Sequence, residues 1–258
     1  MDTSLAVLGK TTKTVAALVG IAALLLLGVA LMPARAIKLA TDRVDGLALH
    51  TAEGRLFSGE ADLAYRGENL GRVTWSLRPG ALLDFQLGTD WRIAHPDYTA
   101  SGTAAVGART TEFAATGIID ALAVNRFLSQ YHISLDGMFE VAGLRVRHDS
   151  GGVAAEGRLR WSGGRAVYRL SGETHDVLLP AMVGTLANVA GQPGLEVMTA
   201  DGSMPLLNIR LDAEGWAHIG VTARLTSLAG NPWRDGNNED AVVVTVSERL
   251  FEPSGPDV

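Results

Sequence analysis

Six histidines, His50, His95, His132, His148, His175 and His218, are the side chains best suited to acid–base or metal chemistry near neutral pH. Their spacing supports neither. No two stand four apart, as paired zinc ligands on one helix face would, and no His-x-His pair places two imidazoles on one face of a strand. With no carboxylate partner apparent, they read as structural or surface groups. A serine nucleophile requires a strained Gly-x-Ser-x-Gly turn. Ser58 in GRLFSGE and Ser203 in ADGSMPL lack it, and Ser58 falls within an expected strand. No glycine-rich phosphate loop precedes a helix. Asp235-Gly236-Asn237-Asn238-Glu239-Asp240 gathers oxygen ligands suited to calcium, but the spacing is not that of an EF-hand loop. Asp, Asn and Gly clustered in this way are the ordinary composition of a surface turn, and a turn is the reading taken. The expectation is a protein without catalytic residues, metal site or cofactor, and not an enzyme.

The totals narrow the class further. Acidic residues outnumber basic ones, 28 to 22, for a formal net charge of −6. No basic block occurs, which argues against a nucleic-acid partner. Cysteine is absent, so disulfides, thiol catalysis and Cys-ligated metals are excluded. Thirty glycines and 47% hydrophobic residues suit many short strands joined by tight turns.

Two kinds of element must carry such a chain. The first is the run Val15–Met32, VAALVGIAALLLLGVALM, which has no charge and no proline. As a helix it is about 27 Å long, close to the roughly 30 Å hydrocarbon thickness of a bilayer. Val15, Leu18, Ile21, Leu24, Leu25, Leu26, Leu27, Val29, Leu31 and Met32 supply its apolar surface. A cleaved signal peptide is the rival reading, with Ala34-Arg35-Ala36 as the cleavage motif. The apolar run exceeds the usual signal length of about 7–15 residues, so an uncleaved anchor is expected. Lys10 and Lys13 precede it and Arg35, Lys38 and Arg43 follow, so charge alone does not orient it. The short N-terminal end favours a cytoplasmic tip at 1–14, an inner-membrane anchor, a juxtamembrane linker at 33–44 begun by Pro33, and an exported periplasmic body. Ala16 and Gly20 form one small-residue pair on the helix, insufficient to mark more than a tether.

The second kind of element is a series of strands. From 45 onward the hydrophobic period becomes two. Phe57, Ala61, Leu63 and Tyr65 alternate with Ser58, Glu60 and Asp62; Val73, Trp75 and Leu77 alternate with Arg72, Thr74 and Ser76; Phe85, Leu87, Trp91 and Ile93 alternate with Gln86, Asp90 and Arg92. Such alternation marks antiparallel strands with one apolar face. Gly67-Glu68-Asn69 and Arg78-Pro79-Gly80 read as turns. Further strands are expected at 98–107, 111–117, 133–148, 153–161 and 165–171, then around Leu207/Ile209/Leu211, Ile219/Val221/Ala223 and Val242/Val244/Val246. Ile118–Tyr131 reads as an amphipathic helix laid on the sheet through Leu122, Phe127 and Leu128, and Leu178–Ala190 as a second helix with Pro180 in its first turn. The fold class expected is mainly β: an N-terminal transmembrane helix, then a large curved antiparallel β-meander, with an open half-barrel as one form of it, and two short helices. The body spans 45–251, and 252–258 has a disordered composition. Glu53-Gly54-Arg55-Leu56 and Glu156-Gly157-Arg158-Leu159 echo one another, which suits either chance or a two-fold repeat with halves near 45–131 and 132–251.

Three stretches resemble the type II secretion system protein N family, also called general secretion pathway protein N. Gly54-Arg55-Leu56-Phe57-Ser58-Gly59-Glu60-Ala61 is similar to its G-x-[LV]-W-x-G-x-A opening, with Phe57 in place of Trp. Leu70-Gly71-Arg72-Val73-Thr74-Trp75-Ser76-Leu77-Arg78-Pro79 is similar to its L-G-x-[LV]-x-W-x-L-x-P strand and turn. Leu228-Ala229-Gly230-Asn231-Pro232-Trp233 is similar to a stretch near its C-terminal end. Gly54, Phe57, Gly59, Gly71, Trp75, Leu77 and Pro79 are therefore expected to be structural. The resemblance implies an accessory inner-membrane component of the machine that exports folded proteins across the outer membrane. Its implied partners are the bilayer and other secretion components of the inner membrane and periplasm. Trp233 is either a plug over the core or, with Asn231 and Pro232, a partner contact. Two functions follow: an interaction protein, or a lipid-binding or lipid-transfer module whose apolar β trough holds acyl chains.

Overall fold

The computed structural model describes residues 47–249, apart from 56, 66, 171, 213 and 234–237. The anchor expected at 15–32, the tip and linker expected before and after it, and the tail at 252–258 lie outside the described residues. Among the described residues no helix is long and apolar enough to cross a membrane. The chain divides into two compact units that meet between Leu77 and Arg78.

The first unit is a meander of β1 (Leu47–Arg55), β2 (Ser58–Tyr65) and β3 (Glu68–Arg78), each antiparallel to the next. Val73, Trp75 and Leu77 are shielded while Arg72, Thr74 and Ser76 are exposed, as the alternation predicts. The motif residues build the turns of this unit. Gly54 has φ +93° beside the β1–β2 turn, and a Cβ there would lie 2.7 Å from the Ser58 carbonyl oxygen. Phe57 occupies that turn and its carbonyl accepts from the Leu77 amide at 2.6 Å. Gly59 lies opposite Trp75, and a Cβ on it would come within 2.7 Å of the indole Cζ2. The indole thus covers backbone that any larger residue would displace. Gly71 (φ +92°) follows the bulge in the β2–β3 ladder, and its amide donates to Asn69 Oδ1 at 2.7 Å.

The second unit begins with a 3₁₀ helix, Pro79–Asp84, entered by Pro79 at its first turn and ended by Phe85 in the left-handed conformation. Then come β4 (Leu87–His95), β5 (Tyr98–Val106), β6 (Thr111–Asp120), α1 (Ala121–Leu128), β7 (Ile133–Leu135), β8 (Met138–Asp149), β9 (Gly152–Trp161), β10 (Gly164–Leu170), β11 (Glu173–Leu179), β12 (Met182–Val189), β13 (Gln192–Thr199), β14 (Pro205–Leu211), β15 (Trp216–Thr222), α2 (Ala223–Leu228) and β16 (Val242–Arg249). Its main sheet runs β4-β5-β6-β8-β9-β12-β13-β14-β15-β16, antiparallel throughout, and β11-β10-β7 form a small second sheet. The main sheet stays open: among the described residues β16 pairs with β15 alone.

Four expectations are corrected. Leu178–Ala190 is not a helix. Its residues end β11 and form β12, separated by Pro180 and Ala181. The stretch carries Val183, Thr185 and Val189, whose branched side chains favour strands, and β12 has ladders with β9 and β13 on its two sides. Ala223 does not continue a closing strand. Thr222 caps α2 there, its hydroxyl accepting from the Leu225 amide at 3.3 Å. The first helix starts at Ala121, capped by Asp120, so Ile118 remains in β6. The helix buries Ala121 and Ala123 and leaves Leu122 and Phe127 exposed. Phe85 is not on a strand face; ending the 3₁₀ helix turns it outward to 92% exposure.

Candidate functional site

Strand register puts most of the large apolar residues of the second unit on one face. One cross-strand row reads Leu159–Gly184–Val197–Leu207–Val221–Val244, and the next Gly157–Leu186–Leu195–Ile209–Ile219–Val246. The neighbouring row on the opposite face reads Arg158–Thr185–Glu196–Asn208–Gly220–Thr245. Farther along, Trp91–Gly102–Ala115–Leu144 and Thr89–Ala104–Phe113–Val146–Ala155 continue the apolar side. Asp90–Thr103–Ala114–Arg145–Glu156 continue the polar one, where Arg145 and Glu156 pair at 3.2 Å.

Small residues let this face bend. A Cβ on Gly102 would strike the Ala114 carbonyl, and one on Gly117 would come within 2.6 Å of the Thr99 carbonyl oxygen. The buried hydrophobic residues among those described are mostly alanines, and Leu206 is the largest side chain fully removed from water. In the two long rows the leucines, isoleucines and valines are half-buried or exposed, with Val246 at 48%. Burying a side chain of this size fully is worth about 1.5–3 kcal/mol, so the face retains unspent apolar surface. Trp91 stacks on Phe113 with centroids 5.2 Å apart, and its indole Nε1 is buried with no hydrogen-bond partner. A groove of about 620 Å³ is lined by Arg92, Thr99, Ser101, Thr116, Ile118 and Glu140 among others; these groups converge on no nucleophile or metal.

One cluster has the connectivity of an acid–base relay. His218 Nε2 lies 3.0 Å from Asp212 Oδ2, and His218 Nδ1 lies 2.9 Å from Ser247 Oγ. The Trp216 amide, then the His218 ring, hold the Asp212 carboxyl below the usual carboxylate range. All three side chains are open to solvent in varying degree, and His218 and Ser247 are simply opposite residues of the β15–β16 ladder. Neither contact is legible from residue spacing: Asp212 meets the ring across the turn from β14 to β15, and Ser247 reaches it through β15–β16 pairing. Among the described residues no group of three metal-ligating side chains gathers. Of the acidic turn, 235–237 lie outside the described residues. Glu239 and Asp240 both pair with Arg224, at 2.6 and 2.9 Å, and Asn238 Oδ1 accepts from the Asp240 amide at 3.0 Å.

The turn after α2 is tied to the small sheet. The Tyr168 hydroxyl donates to the Ala229 carbonyl at 2.6 Å, and the Asn231 amide side chain donates to the Tyr168 oxygen. Asn231 is thereby committed inside the unit. Pro232 is exposed and Trp233 is 45% exposed.

Fold and site together define a β-rich body with an open sheet and one underfilled apolar face. A family model, that of the type II secretion system protein N, matches residues 45–232, and the chain belongs to this family. Membership makes it a component of type II secretion in the cell envelope, acting among the other components of that system. No curated protein and no solved structure matches the chain.

Proposed function

We propose that this chain is an accessory inner-membrane component of the type II secretion system that acts by contact. Val15–Met32 spans the membrane as an uncleaved anchor with the N-terminus cytoplasmic. The β body stands in the periplasm and docks on other components to support assembly or function of the exporting complex. The family match over 45–232 carries this reading, because it covers nearly all of the body. Exposed Pro232 and Trp233, and the outer edge of β16, which has no strand partner among the described residues, are the contact surfaces. A photoreactive residue at Trp233 in native membranes is expected to capture a secretion component. Capture of none, together with unchanged secretion on deletion, refutes the reading.

A second reading is supported by the half-buried aliphatic rows, which leave room for a ligand along the sheet. In it the body holds acyl chains against that face. Lipid recovered by mass spectrometry from the purified chain supports this function; a chain free of lipid removes it.

A further inference from the structure

The two most exposed large apolar side chains of the second unit, Phe85 and Leu83, precede β4, whose first residue Leu87 and its ladder partner Val106 are exposed as well; Leu178, Phe127 and Leu122 are comparably exposed elsewhere in the chain. Leu83 is 85% exposed, Phe85 92%, Leu87 60% and Val106 55%. Leu87 and Val106 are opposite residues that end the β4–β5 ladder. These two lie on the apolar side of the sheet and continue into Thr89–Ala104 and the Trp91–Phe113 stack, while Ala81 of the 3₁₀ helix packs toward Gly88 on the opposite side. The cluster is also built. The 3₁₀ helix, closed by the Phe85 and Gln86 amides on Leu82 and Ala81, presents Leu83 and Phe85 from a fixed turn. Gln86 Nε2 donates to Thr110 Oγ1 at 3.4 Å, and the Gly107 amide to the Thr110 carbonyl at 2.8 Å. These bonds join that turn to the β5–β6 loop, on which Arg109 stands exposed.

We propose that this apolar lip is a second membrane contact, inserting Leu83 and Phe85 among the acyl chains of the bilayer that holds the anchor. The inference rests on the anchor reading above. Three observations select a bilayer as occupant. Residues 33–46, between the apolar run and β1, span at most about 50 Å when fully extended, so the body never leaves the neighbourhood of a bilayer surface. Exposed Phe and Leu side chains match the interfacial region of a membrane, where apolar groups enter while the exposed Asp84 between them and Arg109 on the neighbouring loop stay among the headgroups. Leu87 and Val106 join the lip to the apolar face, as an entry for acyl chains would.

The chain has no cysteine, so a single introduced thiol reports one place. The full chain carrying Leu83→Cys, labelled with a nitrobenzoxadiazole dye, is reconstituted into vesicles of phosphatidylethanolamine and phosphatidylglycerol. The same label at Thr185→Cys, on the polar face, is the reference. The expected result is blue-shifted emission at 83, quenched by nitroxide-bearing lipid and protected from iodide, with the opposite at 185. The shift is lost when Phe85→Ser and Leu87→Ser are added. Both side chains are solvent-exposed, and circular dichroism of the variant is expected to match the parent. An iodide-quenched, lipid-insensitive probe at 83 overturns the proposal. So does a probe that becomes shielded only when other secretion components are added, which would assign the lip to a protein. Carbonate extraction of the same vesicles reads the anchor separately: a chain that resists extraction while its probe stays in water keeps the anchor and loses the lip.

Discussion

Gly102 tests how closely β5 and β6 approach. It lies outside the left-handed region of φ, so replacing it adds no dihedral strain, and the effect of Gly102→Ala is one of space alone. The added methyl would run into the Ala114 carbonyl oxygen, 2.7 Å from its carbon and 2.9 Å from Trp91 Cζ2. The carbonyl is backbone inside a paired ladder and cannot yield without opening it. Overpacking of this kind costs about 1–3 kcal/mol, offset by roughly 0.4–1 kcal/mol from a less flexible unfolded chain. The net loss is therefore about 1–2 kcal/mol. In a body of this size each kcal/mol moves the midpoint by about 2–4 °C, so a fall of roughly 2–8 °C is expected. Gly80→Ala is the internal control, since Gly80 has nothing within 4 Å of the position its Cβ would take. It is expected to hold the midpoint or raise it slightly. The assay is thermal unfolding of the full chain in detergent, followed by far-ultraviolet circular dichroism. If Gly102→Ala melts with the parent and Gly80→Ala, the sheet is not bent as tightly as argued and the small-residue explanation of the face fails.

Three further outcomes are expected. Trp91→Phe keeps the stack on Phe113 and removes an unpaired buried N–H, so denaturant unfolding is expected to change by less than about 1 kcal/mol, against about 3 kcal/mol for Trp91→Ala. Arg224→Ala frees Glu239 and Asp240, two half-exposed carboxylates, and is expected to cost about 1 kcal/mol in low salt and less in high salt, by the same measurement. The carboxyls of Asp62 (beside the Thr51 hydroxyl and Arg72), Asp176 (beside Arg165), Asp201 (beside the Thr199 hydroxyl and Ser203) and Asp212 are all held below their usual value. A depressed carboxyl contributes stability above its unfolded pKa and loses it as pH falls through the folded value. The melting midpoint is therefore expected to fall below about pH 4, near the unfolded value, and Asp176→Asn is expected to flatten that acid limb.

Legibility followed the range of the interaction. Val73, Trp75 and Leu77 were readable as one face because a strand's own backbone imposes the alternation. The same local rule failed at Leu178–Ala190, where apolar residues at helical spacing outnumber the signals of a strand. Only the neighbours β9 and β13, one before it in the chain and one after it, claim both edges of β12. Phe85 departs from its local pattern for a related reason. The period-two pattern through Gln86 and Leu87 is real, but a left-handed residue at 85 ends the 3₁₀ helix before the strand begins.

From the sequence alone came the mainly β class, the family, the motif glycines and the lack of a recognisable catalytic pattern. Each depends on residue type, on nearest neighbours or on a short motif, information that the linear chain already holds. The tertiary structure decided which strands pair and therefore which apolar residues share a face. It also decided that this face stays underfilled, that His218 meets both Asp212 and Ser247, and that Leu83, Phe85, Leu87 and Val106 gather at one lip. Those outcomes depend on register between strands and on loops joined across it. A shift of one residue would send every side chain of a strand to the opposite face, and that choice is made by the whole sheet rather than by any one segment.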